Sequence, residues 1–173
     1  MKLAFIAAAA VALTACAAPS VSHKLGTTKV AANPIQTQAK PAIQNAMTTQ
    51  TFASRYDFAT TVRTIQDTVQ DKGMTVFAVI DHQAAAEKAG LAMQPASVII
   101  FGAPKAGTPL MVKDPLFALQ LPLKVLVTET NGQVTVAYTP AEQLIAGSSL
   151  EYADVENSLA KAANLLRAAV GKQ

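Results

Sequence analysis

Apolar residues recur along this chain with two periods, and the switches between them mark out its elements. Phe58, Val62, Ile65 and Val69 fall at i, i+4, i+7 and i+11, one face of an amphipathic helix. Asp57 stands before them as an N-cap, and Gly73 follows as the residue that tolerates the left-handed turn past a helix end. Met74 to Ile80 is β-branched and aromatic, which predicts a buried strand. Asp81 caps a second, short helix from about His82 to Ala89, closed by Gly90. Ser97-Val98-Ile99-Ile100-Phe101 predicts another buried strand.

A Gly/Pro-rich loop is predicted from Gly102 to Pro109, followed by one or two helical turns over Leu116 to Leu121. Lys124 to Thr130 and Gln133 to Tyr138 read as strands about an Asn131-Gly132 turn, a strong hairpin signal because both turn residues need positive φ. Pro140 opens a short helix from Ala141 to Ile145. A longer helix then buries Val155, Leu159, Ala162 and Leu166, and a short strand over Thr51 to Ser54 precedes the whole series. The order β-α-β-α-β-(α)-β-β-α-α predicts an α+β fold: a two-layer sandwich whose mostly antiparallel sheet carries helices on one face.

The N-terminal stretch does not belong to that pattern. Lys2 precedes an apolar run from Leu3 to Leu13, too short for a transmembrane helix and built like a secretory signal peptide. Leu13-Thr14-Ala15-Cys16 resembles the bacterial lipobox, in which the cysteine is lipidated and becomes the first residue of the mature protein. Residues 1–15 are therefore expected to be removed and Cys16 to anchor the chain to a membrane. Ala17, rather than Asp, resembles the sorting pattern for the outer membrane, with the domain facing the periplasm. Cys16 is the one cysteine in the chain, so disulfides and cysteine-based metal sites are excluded.

From Ala17 to Gln50 the chain is rich in Ala, Pro, Ser, Thr, Gln and Lys without apolar periodicity. Residues 16–50 thus read as the lipidated cysteine and a flexible stalk. A coil of that length reaches about 30–35 Å. A single domain is expected over residues 51–173.

The formal net charge of +3 suggests nucleic acid until its distribution is read. Lys2 belongs to the signal peptide, and Lys24, Lys29 and Lys40 to the stalk, leaving 10 basic against 11 acidic residues in the domain. No concentrated basic face is available to neutralise phosphates, so no nucleic-acid partner is expected.

Three residues carry the candidate chemistry. His82 sits in the first turn of a helix beside the capping Asp81. A helix N-terminus disfavours a cation, and a neutral imidazole there suits ligation of a metal or haem iron. Met111 follows a loop able to fold back toward His82, and a His/Met pair is a soft-ligand combination, although two ligands alone make a weak metal site. Lys105, at the tip of the 102–109 segment, is placed to meet an anionic group.

The spacing Gly102 to Gly107 matches part of a phosphate-binding loop. Thr108 and Pro109 stand where its lysine and hydroxyl belong, and Pro104 and Pro109 remove backbone donors, so that reading fails. No catalytic residues are assigned. There is no nucleophile elbow, no Ser-His-Asp order and no facing pair of carboxylates, which leaves an enzyme using His82 as the third reading.

The runs Gly73 to Ala86, Gly90-Leu91, Pro95, Phe101 to Met111 and Leu121 to Val127 resemble a bacterial and archaeal family catalogued as domain of unknown function 302. The resemblance implies a β-α-β4-α fold and frequent homodimers, and it implies no activity or cofactor. The expected function is a small-ligand or metal/haem-binding module without catalysis; convergence of His82, Lys105 and Met111 on one concave pocket favours it, and their dispersal favours an assembly role. The alternative is an envelope interaction protein acting as a homodimer.

Overall fold

Five short runs of the chain reach the extended conformation: β1 (Gln50–Ala53), β2 (Thr75–Asp81), β3 (Ala96–Gly102), β4 (Leu123–Thr130) and β5 (Gln133–Tyr138). In the computed structural model, which describes residues 49–172, they form one antiparallel sheet in the order β1-β5-β4-β3-β2. The expected signal peptide, lipidated Cys16 and stalk, as far as Thr48, lie outside the described residues. β1 opens at Gln50, one residue before the expected domain start.

Alternation along the strands sorts the sheet into two faces. Ile99, Val125 and Tyr138 lie in one cross-strand row, and Val127 and Val136 in the next, all turned toward the helices. Helices α1 (Phe58–Asp71) and α6 (Leu159–Val170) cover that face with Ile65, Val69, Ala162, Leu166 and Val170. Each fully buried Val or Ile of this layer contributes about 1.5–3 kcal/mol relative to exposure. The fold is the expected α+β sandwich.

Local signals act as anticipated at several points. The Asp57 carboxylate accepts from the Thr60 N–H at 2.8 Å, and that of Asp81 from Ala84 N–H at 2.9 Å. The Asn131-Gly132 turn has φ of 52° and 73°, both positive as the hairpin requires.

Three expectations are corrected. The segment predicted as a loop is a helix, α3 (Pro104–Lys113), followed by a 3-10 turn over Pro115–Leu119. Pro104 sits in the first turn, where its missing N–H has no partner to lose, and Pro109 is exposed. The strand expected to be buried, β2, is the sheet edge: Phe77 is 53%, Val79 40% and Ile80 42% exposed. The final long helix is divided, because α5 (Tyr152–Val155) ends before α6 begins. Val155 thus belongs with α4 (Ala141–Leu144) and α3 in a second small core of Leu110, Phe117, Leu144, Leu150, Val155 and Leu159. Among the described residues, no helix is long and apolar enough to cross a membrane.

Candidate functional site

A cavity of about 570 Å³ opens where the two cores meet. Ala162 and Leu165 reach it from the main core, and Leu121 and Leu159 from the second. It exists because small residues occupy inward positions on facing elements. On α3, Gly107 and Met111 stand one turn apart on the inner face, and Gly107 has no side chain to fill the space above Leu121. Ala162 does the same on α6.

The third wall comes from an irregularity in β2. Val76 pairs with Phe101 and Ala78 with Ile100, so Phe77 has no cross-strand partner. A bulge of this kind re-aims a side chain. Here it turns the Phe77 ring toward the cavity, beside the bare Cα of Gly102. Met74 and Leu123 complete the apolar body, and Lys72, Lys161, Asn157, Ser158 and Thr108 supply the polar groups. A concavity of this size with few polar groups has the character of a small-molecule site.

Polar contacts hold the far end of α3. Lys113 Nζ lies 2.6 Å from Asp154 Oδ2, and the Glu151 N–H donates to the same oxygen at 2.8 Å. The lysine, with that N–H, holds the Asp154 carboxyl below its ordinary pKa. Asp114 accepts from the Ser149 N–H at 2.9 Å, from the Ser149 hydroxyl at 3.2 Å and from the Leu116 N–H at 3.0 Å. Its pKa is lowered too, chiefly by the Ser149 N–H. These bonds tie the end of α3 to residues 149–154 and so set one side of the cavity.

The three residues singled out from sequence do not converge. Met111 lines the cavity. Lys105 is exposed on α3; its neighbours Pro104 and Ala106 line the cavity and it does not. His82 starts α2 (His82–Lys88), a helix with no buried residue, at the opposite end of β2 from Met74. Four strand residues, Ala78 to Asp81, separate it from Phe77, a span of five steps or about 16 Å at the usual rise. A His82–Met111 metal or haem site therefore has no geometric basis, and among the described residues no cluster of three or more His, Cys, Asp or Glu side chains is suited to a metal.

Lys72, Phe77, Asn157 and Lys161 were not anticipated. The available signal was the density of Gly and Ala in residues 102–107, which leaves room beside a helix.

Comparison with known proteins settles the family. The model described as Domain of unknown function DUF302 matches residues 50–171, nearly the whole described domain. The chain belongs to that family. A DUF302 structure, the crystal structure of an uncharacterized conserved protein from Bacillus stearothermophilus, superposes with a TM-score of 0.61 at 19% identity, covering 70% of this chain and 100% of that one. That likeness shows the fold.

This DUF302 chain is also 39% identical over 79 residues to proteins named Fluoride-specific ion channel FluC 1 in Brucella suis biovar 1 and FluC 2 in Brucella melitensis biotype 1. The stretch is 46% of this chain and 31% and 29% of those proteins, so the chain spans under a third of the curated relatives it matches.

Proposed function

We propose that this DUF302 protein is a small-ligand-binding module without catalysis, anchored through lipidated Cys16 to the outer membrane and facing the periplasm. The cavity between α3, α6 and the β2 bulge carries the binding reading through Met111, Lys72, Lys161 and Phe77, with His82 and Lys105 outside it. Its body is apolar and its few polar groups lack the pairing that acid–base or nucleophilic chemistry needs. The lipobox-like Leu13-Thr14-Ala15-Cys16 supports the anchor. The match to proteins named as fluoride channels covers too little of them for conduction to enter this reading.

Native mass spectrometry of the full chain, purified without affinity tags or chelators, tests the binding role. A retained small-molecule mass that is lost on Ala106→Phe, which puts a ring into the cavity, supports it. A ligand-free spectrum overturns it. Membrane fractionation of Cys16→Ser tests the anchor, which predicts release from the membrane fraction.

A second reading, a homodimer, is favoured by the dispersal of His82, Lys105 and Met111 and by the other face of the sheet. Ile80, Val98, Leu126 and Ala137 form one cross-strand apolar row there, and none of the four is fully buried. A self-complementary contact across this row would bury it. Equilibrium sedimentation at micromolar concentration decides: a dimer lost on Leu126→Lys supports the contact, and a monomer throughout excludes it.

A further inference from the structure

The polar groups around the cavity have one sign of charge. Lys72, at the C-terminal end of α1, and Lys161, in the first turn of α6, both line it, and no Asp or Glu does. Asp71 and Glu156, the acidic residues closest to the lining residues in sequence, are not among them. Among the described residues the ion pair is Lys113–Asp154, so neither Lys72 nor Lys161 has a carboxylate partner. In a domain whose charges nearly balance, two unpaired cations beside one apolar cavity are a local asymmetry.

The helix ends act in the same direction. α6 begins at Leu159 with Ser158 as its N-cap, and Ser158 makes no capping bond from its side chain. Both residues line the cavity, so the positive end of that helix dipole lies at its wall. α3 begins at Pro104 after Ala103, which has no side chain to cap with, and both of these line the cavity as well. The negative end of α1 is partly neutralised, because the Gly73 N–H donates to Gln70 O and the Met74 N–H to Val69 O.

The body of the cavity favours a flexible chain over a rigid polar ring system. Met74 and Met111 are unbranched and adapt to the shape of what they touch. Leu121, Leu123 and Leu165 offer aliphatic surface, and Phe77 closes one side. The cations are lysines, point charges without the planar fork with which arginine selects phosphate. The volume, about 570 Å³, fits one single-chain molecule.

We infer that the cavity takes a single-chain anionic amphiphile, a free aliphatic carboxylate, with its head between Lys72 and Lys161 and its chain against Met74, Met111 and Leu165. This rests on the ligand-binding reading above and names the ligand class.

Calorimetric titration of the purified full chain with dodecanoate and, separately, with dodecyltrimethylammonium below their micellar concentrations tests it. The carboxylate should bind at least tenfold more tightly than the cation of equal chain length. Lys72→Gln with Lys161→Gln should abolish that preference and leave the thermal midpoint unchanged, since both lysines are exposed. Equal binding of the two probes overturns the anion assignment and leaves the ligand-binding reading standing. Binding of neither probe also overturns it. In that case a ligand retained in native mass spectrometry preserves the broader reading, and a ligand-free spectrum removes both.

Discussion

Gly107 presents its bare Cα to Leu121 so closely that a β-carbon there would lie 3.1 Å from Leu121 Cδ1. The neighbour is the far end of a flexible side chain bordering a void, so it can give way. Gly107 is also inside a helix, where Ala is favoured over Gly by about 1 kcal/mol. Gly107→Ala should therefore be neutral to stabilising by up to about 1 kcal/mol in urea denaturation, and should weaken ligand binding by occupying the cavity. A clear loss of stability would mean that Leu121 is fixed and the cavity wall rigid.

Asp154 gives the domain an acid dependence. Its folded pKa is lowered, chiefly by the Lys113 side chain, so its contribution is present above the unfolded value of about 3.9 and is lost as pH falls through the folded one. Asp114, held down by Ser149, and Asp57, held down by Thr60, act with the same sign. The melting temperature should fall as pH drops below about 4. Asp154→Asn should melt lower at neutral pH and show a smaller drop on acidification. An unchanged acid profile would remove Asp154 from the account.

The elements set by neighbours in sequence were legible, and those set by distant packing were not. Asp57 and Asp81 cap their helices because capping needs only the next three residues. Asn131-Gly132 makes its hairpin for the same reason. Residues 102–113 misled because Pro104 and Pro109 look like breakers. Nothing local shows that Pro104 begins the helix, that Pro109 lies on its outer side or that Leu110 is buried beneath it. β2 misled because an apolar run does not show whether a strand lies at the centre of a sheet or at its edge. The cavity was out of reach for a related reason. Gly107, Ala162 and the bulged Phe77 come from three elements, and only the assembled fold shows that they face each other. Of the three candidate residues, Met111 alone lies in that wall.

The buried hydroxyls of Ser54 and Thr61 lie 2.7 Å apart and link the residue just after β1 to α1. Thr61 has one hydroxyl proton, and Asp57 O accepts it at 2.7 Å. Ser54 must then donate to Thr61, while accepting from the Tyr56 N–H at 3.1 Å. Thr61→Val keeps the shape and leaves the Ser54 proton without an acceptor, which should cost about 1–3 kcal/mol. Adding Ser54→Ala removes the orphaned group, so the double variant should cost less than the sum of the single ones. Strict additivity in urea denaturation would show that the two hydroxyls are not coupled.

Gly132 tests whether the hairpin turn is fixed by conformation or by the strands around it. Its φ of 73° is costly for any residue with a β-carbon, and Asn131 beside it already holds a φ of 52°. Beyond its two chain neighbours, no residue has an atom within 4 Å of the position a β-carbon would take, so Gly132→Ala introduces backbone strain and no steric clash. The left-handed conformation then costs about 1–2 kcal/mol. That loss should appear as a lower urea midpoint with an unchanged slope, since the native surface is the same. β4 and β5 carry Val125, Val127 and Val136 into the core, so slipping their register to relieve the turn would turn those side chains to the open face. A midpoint unmoved by Gly132→Ala would mean that the turn rearranges without the strands, and that packing of the two strands alone sets their register.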